Sequence, residues 1–231
     1  MRLLNAVRYT AMVAVFAGGV AQAQFAGTAP HDDFRDTSIL RPPAGSKVAI
    51  LVWEDLGCPA CARWHPVEDE VARKTHVALV RHDFPLAQHV WTFEGAVFAR
   101  YLHDKVSAKL ADEYRSDIFK SQMQIESKDA LHQFNERWMQ AHHQQMPFVV
   151  DPGGKLAKEV QADYDLGIRL NVEFTPTIVV VTNGAYQVVS GIRDYNPEPS
   201  KLLEVVEGAL AKTGAHPAIT THHTTHAQKL R

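Results

Sequence analysis

The chain has 231 residues, of which 45% are hydrophobic and 22% are charged, and its formal net charge at pH 7 is −2. This length and composition indicate one well-buried domain and exclude a wholly disordered chain. A slightly acidic protein is not expected to bind nucleic acid.

The first 23 residues have the pattern of a secretory signal peptide. Arg2 and Arg8 give a basic start, residues 11–20 are uncharged and largely apolar, and Ala21-Gln22-Ala23 matches a small-x-small cleavage site. This apolar stretch is too short to span a bilayer, and no later segment offers about 20 consecutive apolar residues. The sequence therefore predicts that 1–23 is cleaved and that the protein is periplasmic or secreted, without stable membrane insertion.

The next segments predict an arm followed by a β-α-β unit. Residues 24–46 contain several prolines and no periodicity, which is typical of an extended N-terminal arm. Residues 47–53 are apolar on both faces, as in a central strand covered by helices on each side. The segment 58–74 then has apolar residues at helical spacing, and 76–84 reads as a second strand.

The middle of the chain favours helices. Segments 90–104, 107–120 and 127–144 carry apolar residues at three- and four-residue spacings and lack β-alternation. Together they predict a helical insertion over about 87–150. Another helix is predicted over 155–170.

A hairpin and a last helix follow. Strands 177–182 and 185–191 flank Asn183-Gly184, the dipeptide that favours a type I′ turn with two positive φ angles. A helix over 197–212 would complete a domain spanning 47–212. The His/Thr-rich segment 213–231 has no apolar face and is predicted to be disordered.

Cys58 and Cys61 are the only cysteines, and they lie at the turn of the β-α-β unit. A disulfide that closes so short a loop constrains the unfolded chain little, so a structural cross-link is disfavoured. A reversible redox pair, which needs no cofactor beyond the disulfide itself, fits better. In an oxidising compartment such a pair is chemically useful.

The spacing of the motif also predicts its geometry. With Cys58 as the helix N-cap, Pro59 takes the first helical position, and Cys61 lies on the same face at a separation that a disulfide can bridge. We expect Cys58 to be exposed and Cys61 to lie behind it. The helix N-terminus favours a Cys58 thiolate, so Cys58 would be the nucleophile and Cys61 would resolve the mixed disulfide.

Half of a zinc site is the competing interpretation, because His65 follows Cys61 by four residues. Structural zinc needs four ligands, and the chain has no second CxxC pair, so no metal site is predicted. We expect His65 to be an ordinary exposed helix residue.

The order of strand, CxxC turn, helix, strand, Thr175-Pro176-Thr177, hairpin and helix resembles the thioredoxin superfamily, and the helical insertion is similar to its DsbA-like branch. This resemblance implies an α/β thioredoxin-like fold with a central mixed sheet flanked by helices. It also implies that Pro176 is cis, faces the cysteines and, with Thr175, Pro59 and Ala60, shapes the substrate site.

One position departs from the family pattern. Relatives often carry a buried acid six residues before the first cysteine, but that position is Val52 here. Glu54 and Asp55 lie nearer the turn and are candidates for proton transfer. The alternative, that both are solvated charges at a strand end, is equally supported.

The leading hypothesis is a thiol-disulfide oxidoreductase that acts as an oxidase and exchanges disulfides with thiol-containing exported proteins. A membrane protein is a candidate redox partner. A thioredoxin-like reductase would use the same residues. The rival from another class is a binding protein, either a metal carrier or an adaptor, since weak metal binding is conceivable for a tail that contains His216, His222, His223 and His226.

Overall fold

The computed structural model describes residues 34–189 and 197–214. The predicted signal peptide 1–23, the start of the arm and nearly all of the predicted tail therefore lie outside the described residues. Within the described part, no helix has both the length and the apolar character needed to cross a membrane.

The described elements are four strands and six α-helices, with two short 3-10 helices, and four of the α-helices follow one another between the second and third strands. The strands are β1 (Val48–Glu54), β2 (Ala78–Asp83), β3 (Thr177–Thr182) and β4 (Tyr186–Val188). The α-helices are α1 (Pro59–Thr75), α2 (Thr92–Lys105), α3 (Ala108–Ser121), α4 (Lys128–Ala141), α5 (Lys155–Leu170) and α6 (Pro199–Thr213), and short 3-10 helices span Thr37–Ile39 and Gln122–Gln124.

The four strands form one mixed sheet in the order β2-β1-β3-β4. β1 pairs with β2 in parallel and with β3 antiparallel, and β3 pairs antiparallel with β4. All seven residues of β1 are buried, as expected for a central strand with helices on both faces. This arrangement confirms the predicted α/β thioredoxin-like fold.

Alternation along β1 divides its side chains between two cores. Val48, Ile50 and Val52 pack into a cluster with apolar residues of α1 and α6. Ala49, Leu51 and Trp53 face the opposite side, where residues of α5 complete a second cluster. The arm also contributes here, since Leu40 is buried in this second cluster and the Arg35 N–H donates to the Leu170 carbonyl at 3.0 Å.

The helices between β2 and α5 form a third core of their own, which includes both cysteines. Serine side chains cap two of these helices as Ser and Thr commonly do: Ser107 accepts from the Leu110 N–H at the start of α3, and Ser127 accepts from the Ala130 N–H at the start of α4. Helix α5 has the predicted bounds.

The β3–β4 hairpin is present, but its predicted type I′ turn is wrong. Neither Asn183 nor Gly184 has a positive φ angle. The Thr182 hydroxyl instead accepts from the Ala185 N–H at 3.1 Å, while the Thr182 N–H donates to the Ala185 carbonyl at 2.8 Å. A side-chain hydrogen bond therefore shapes the turn in place of the left-handed backbone.

Gly167 lets α5 approach the sheet closely. A Cβ atom at this position would lie 2.5 Å from Phe84 Cε2 and 2.9 Å from Trp53 Cδ1. Both neighbours are buried rings without room to withdraw. Close packing of α5 thus depends on the missing side chain.

We expect Gly167→Ala to destabilise the protein by about 1–3 kcal/mol, because the added methyl group overpacks the core. Gly208→Ala in α6 is the matched control, since a Cβ there meets nothing within 4 Å and alanine favours the helix by up to about 1 kcal/mol. Urea unfolding of both variants measures the difference. Equal stability of the two variants would contradict the close approach.

Candidate active site

The CxxC turn is built as its sequence predicts. Cys58 is the N-cap of α1 with extended backbone angles, and Pro59 occupies the first helical position. The Cys58 N–H donates to the Asp55 carbonyl at 3.0 Å, and the Cys58 carbonyl accepts from the Ala62 N–H at 3.1 Å. Both cysteines are free thiols. Pro66 lies inside the helix, as expected.

The expectation that Cys58 is exposed is wrong, since only 8% of its surface is accessible. The segment around Thr175 covers it, and the Cys58 thiol donates to the Thr175 carbonyl at 3.3 Å. The Thr175–Pro176 peptide bond is cis, in agreement with what the resemblance implies. The structure thus brings together the CxxC turn and a segment more than 110 residues away.

The two thiols differ in acidity. A hydrogen bond from Cys61, reinforced by the Thr175 side chain and by the N–H groups of Cys61 and Ala60, lowers the pKa of Cys58 to about 6 despite its burial. Burial and the neighbouring Cys58 raise the pKa of Cys61 well above its usual value. At neutral pH, Cys58 is therefore the thiolate of the pair.

The Thr175 hydroxyl is buried and has no hydrogen-bond partner among the described residues while Cys58 is a thiol that donates to the Thr175 carbonyl. Buried polar groups are normally paired, so an unpaired one is a feature of interest. Its hydroxyl can donate to the Cys58 thiolate, which is one cause of the low pKa of that thiol.

Gln122, a residue of the helical insertion, also holds the CxxC turn in place. The side-chain amide of Gln122 donates to the carbonyls of Leu56 at 2.9 Å and of Cys58 at 3.3 Å. Gln122 itself is buried. Sequence reasoning missed this residue, because nothing local distinguishes it from other glutamines of the insertion.

Asp55 anchors the turn from the other side. Its Oδ1 accepts from the Gly57 N–H at 2.6 Å, and its Oδ2 accepts from the Leu86 N–H and from His89 Nδ1, the latter at 3.1 Å. Asp55 is 1% exposed, so it is not a solvated strand-end charge. Its contacts connect the CxxC turn with the loop between β2 and α2.

Beneath the turn, buried arginines join strands and helices through carboxylates. Arg81 of β2 pairs with Glu54 at 2.8 Å and with Glu68 of α1. Arg115 of α3 contacts Glu54 at 3.0 Å and Asp83 at 2.6 Å. These side chains are almost fully buried, so each charge needs the others for compensation.

Further pairs extend this ionic network to α2 and α5. Arg100 contacts Asp83 at 2.7 Å and also pairs with Asp163. His82 Nδ1 lies 3.0 Å from the same Asp163 carboxylate. The network therefore ties β1 and β2 to four helices, including α2 and α3 of the insertion.

Glu54 belongs to this network and is also not a solvated charge. Burial would raise the pKa of Glu54, but the positive charges of Arg81 and Arg115, with His65 nearby, outweigh it and lower that pKa to about 2. A carboxyl group this acidic is a weak proton acceptor at neutral pH. Proton transfer through Glu54 or Asp55 stays a prediction, and the contacts of both residues favour a structural role.

The expectation that His65 is exposed is wrong, since it is 4% exposed and faces the network. Its Nε2 lies 3.0 Å from the Ser116 hydroxyl, and its Nδ1 lies 3.9 Å from Glu54. Burial and the charge of Arg81 lower its pKa. Neither cysteine is among these partners, so the Cys61–His65 half of a zinc site is not assembled.

Glu54, His65 and Glu68 bring three potential metal ligands within 4.8 Å of one another. However, the Arg81 guanidinium already pairs with an oxygen of Glu54 and with one of Glu68. A metal ion there would face this fixed positive charge at short range. The donor set therefore fits an arginine rather than a metal.

Glu68 of the network holds its proton more tightly than an ordinary glutamate. Burial, together with the negative charges of Glu54 and Asp69, raises its pKa to about 8 although Arg81 opposes the shift. Sequence reasoning missed this residue too, because its helical position indicates only that it faces the core.

We expect wild-type stability to fall relative to Glu68→Gln as the pH rises from about 4.5 to about 8. Over this range the folded state binds a proton that the unfolded state has lost, so the free energy of unfolding decreases by up to about 1.4 kcal/mol per pH unit. Urea unfolding across pH measures it, with the exposed Glu70→Gln as control. Parallel profiles for wild type and Glu68→Gln would refute the assignment.

A thioredoxin family model, Thioredoxin_4, matches residues 40–186, which include β1, the CxxC turn, the insertion and the cis-proline segment. The chain belongs to the thioredoxin family. No curated protein matches this sequence.

Solved structures of DsbA proteins share the fold. Wolbachia pipientis alpha-DsbA1 is 13% identical with a TM-score of 0.56, and the alignment covers 77% of this chain and 96% of that one. Reduced DsbA1 from Neisseria meningitidis is 17% identical, with 75% and 90% covered and a TM-score of 0.52. Pseudomonas aeruginosa DsbA2 is 18% identical, with 74% and 93% covered and a TM-score of 0.54. The fold of this chain is thus similar to that of DsbA proteins.

Proposed function

We propose that this protein is a periplasmic thiol-disulfide oxidoreductase that donates disulfides to exported proteins. The observation that carries the proposal is the asymmetry of the pair: an acidic thiol at the helix N-terminus, opposite the Thr175–Pro176 segment, with a buried and much less acidic thiol behind it. Membership of the thioredoxin family and the DsbA-like fold support the same chemistry.

The reaction uses only sulfur atoms of the protein and its substrate. A substrate thiolate attacks Cys58 of the oxidised pair, the Cys58–Cys61 bond breaks, and Cys61 leaves with the electron pair and takes up a proton. A second substrate thiolate then attacks the substrate sulfur of the mixed disulfide, and Cys58 leaves as a thiolate. The substrate loses two electrons, which the Cys58–Cys61 pair gains.

The acidity of Cys58 contributes to the oxidising power of the pair. A thiol with a pKa of about 6 is mostly ionised at pH 7, which stabilises the reduced pair by about 1.4 kcal/mol relative to an ordinary thiol. For a two-electron couple this equals about 30 mV toward the oxidant. This shift makes the pair a better electron acceptor than it would be with an ordinary thiol at position 58.

Export and partners complete the proposal. Residues 1–23 would direct export to a compartment in which disulfides persist and would then be cleaved. There it would act on thiol-containing exported proteins and be re-oxidised by a membrane redox partner. The site residues would be Cys58, Cys61 and the cis-proline segment, with no cofactor beyond the disulfide.

Two assays on the wild-type chain and on Cys58→Ser test the function. We expect the oxidised wild type to refold reduced ribonuclease, and the variant to be inactive. We also expect a reduction potential above that of thioredoxin, which is about −270 mV. Insulin reduction with a potential near the thioredoxin value would instead favour a reductase, and inactivity of the wild type in both assays would favour a binding protein.

A further inference from the structure

His89, in the loop between β2 and α2, lies against the turn that carries the nucleophilic cysteine. Its Nδ1 is 3.1 Å from Asp55 Oδ2, and the same aspartate receives the N–H groups of Gly57 and Leu86. The Asp55 carbonyl receives the Cys58 N–H. Asp55 thus connects the imidazole of His89 with the turn that carries Cys58.

The approach is close because Gly57 has no side chain. A Cβ atom on Gly57 would lie 2.8 Å from His89 Cγ and 2.9 Å from His89 Cβ. The base of the imidazole therefore packs directly on the residue before Cys58. Any larger residue at position 57 would push the imidazole away from the turn.

The loop backbone holds His89 in this place. Its N–H donates to the Leu86 carbonyl at 2.9 Å, and its carbonyl accepts from both the N–H and the hydroxyl of Thr92, at 3.1 and 3.0 Å. The side chain is 26% exposed, so Nε2 can exchange a proton with water. A carboxylate only accepts hydrogen bonds, so the contact with Asp55 places a proton on Nδ1 and leaves Nε2 to titrate.

We propose that His89 is a positioning residue of the redox site, which as an imidazolium favours the Cys58 thiolate and so makes the oxidising power of the pair pH-dependent. Its part in catalysis rests on the proposed function, whereas the coupling of the two charges does not. Pro59 and Ala60 between the cysteines carry no charge, so a cation at this turn has to come from another segment.

The charged groups that face His89 are Asp55 and Cys58, and both act in the same direction. The hydrogen bond to Asp55 and the negative charges of Asp55 and of the Cys58 thiolate raise the pKa of His89, against partial burial. Such coupling is reciprocal: if a thiolate favours the imidazolium, the imidazolium favours the thiolate to the same extent.

The test titrates Cys58 in the full chain through the pH dependence of its alkylation by iodoacetamide. We expect His89→Asn, which keeps a side-chain donor but no charge, to raise the pKa of Cys58 by about half a unit. His103→Asn is the matched control, because His103 has a similar exposed fraction, 27%, and a carboxylate, Asp104, at 3.2 Å. An unchanged Cys58 titration in His89→Asn would overturn the proposal.

A second measurement needs no substitution. The pKa of His89, followed by NMR, should be higher in the reduced protein, where Cys58 is a thiolate, than in the oxidised protein, where the disulfide is uncharged. Equal values in the two states would also overturn the proposal. Both readouts are independent of exchange activity, so inactivity of the wild type with substrates would refute the proposed function and leave the charge coupling standing.

Discussion

Cys61→Ala should accumulate a covalent complex with substrate, whereas Cys58→Ser should form none and show no exchange above the uncatalysed rate. In the reduced protein, Cys58 carries the thiolate that bonds to a disulfide substrate, and attack by Cys61 on Cys58 releases that substrate. Serine is a favoured N-cap residue and Cys58 makes no side-chain cap bond, so Cys58→Ser is expected to fold. Loss of activity in that variant would therefore report chemistry rather than unfolding.

Non-reducing electrophoresis of each variant after incubation with a disulfide-containing substrate measures the trapped complex. Thermal unfolding of the same samples is the control for folding. Trapping by Cys58→Ser but not by Cys61→Ala would reverse the two roles, and the assignment of Cys58 as nucleophile would have to be abandoned.

Removing Arg115 should have the largest effect on stability, with a loss of about 3–5 kcal/mol in Arg115→Met. The guanidinium is fully buried and contacts Glu54 at 3.0 Å and Asp83 at 2.6 Å. Without it, two buried carboxylates lose a compensating charge while their desolvation remains. Lys109→Met in the same helix is the control, since Lys109 is 84% exposed and solvent screens its ion pair with Glu113.

Urea unfolding of the two variants, and of Arg115→Met combined with Glu54→Gln, separates charge from packing. If the uncompensated carboxylate is the cause, the second substitution should recover part of the loss. Should Arg115→Met cost no more than Lys109→Met, the buried network would not be what holds α3 against the sheet. A failure of Arg115→Met to fold would agree with the expected size of the loss. Arg115→Lys, which keeps the charge, should then fold with a stability between those of Arg115→Met and the wild type.

The sequence alone predicted the fold and the proximity of the two cysteines because both depend on local patterns. Apolar residues on both faces of residues 47–53 indicate a central strand wherever the covering helices come from. The helical pattern of residues 155–170 predicted helix α5 with its observed bounds. Cysteines three residues apart with Pro59 between them indicate an N-terminal helical turn, because backbone geometry over four residues determines their spacing.

The same local reasoning failed where contacts between distant segments decide the environment. Glu54 lies at a strand end and His65 on a helix, and local patterns predict that such residues are solvated. The fold instead buries both beside arginines that are remote in sequence, Arg81 and Arg115. The sequence predicts an exposed Cys58, but in the fold the Thr175 segment, more than 110 residues away, covers it. The Asn183-Gly184 turn took another form because the Thr182 side chain offered an alternative hydrogen bond.

The amino-acid sequence by itself thus determined where the reactive sulfurs lie and which elements surround them. Only the tertiary structure decided their burial and the remote residues around them, including His89, Gln122 and Glu68, and it added the Thr175 segment to the helix N-terminus as a cause of the acidity of Cys58. The physical reason is that periodicity and turn chemistry act over a few residues of the chain. Desolvation and Coulomb energy instead depend on distance in space, which the fold sets between residues remote in sequence.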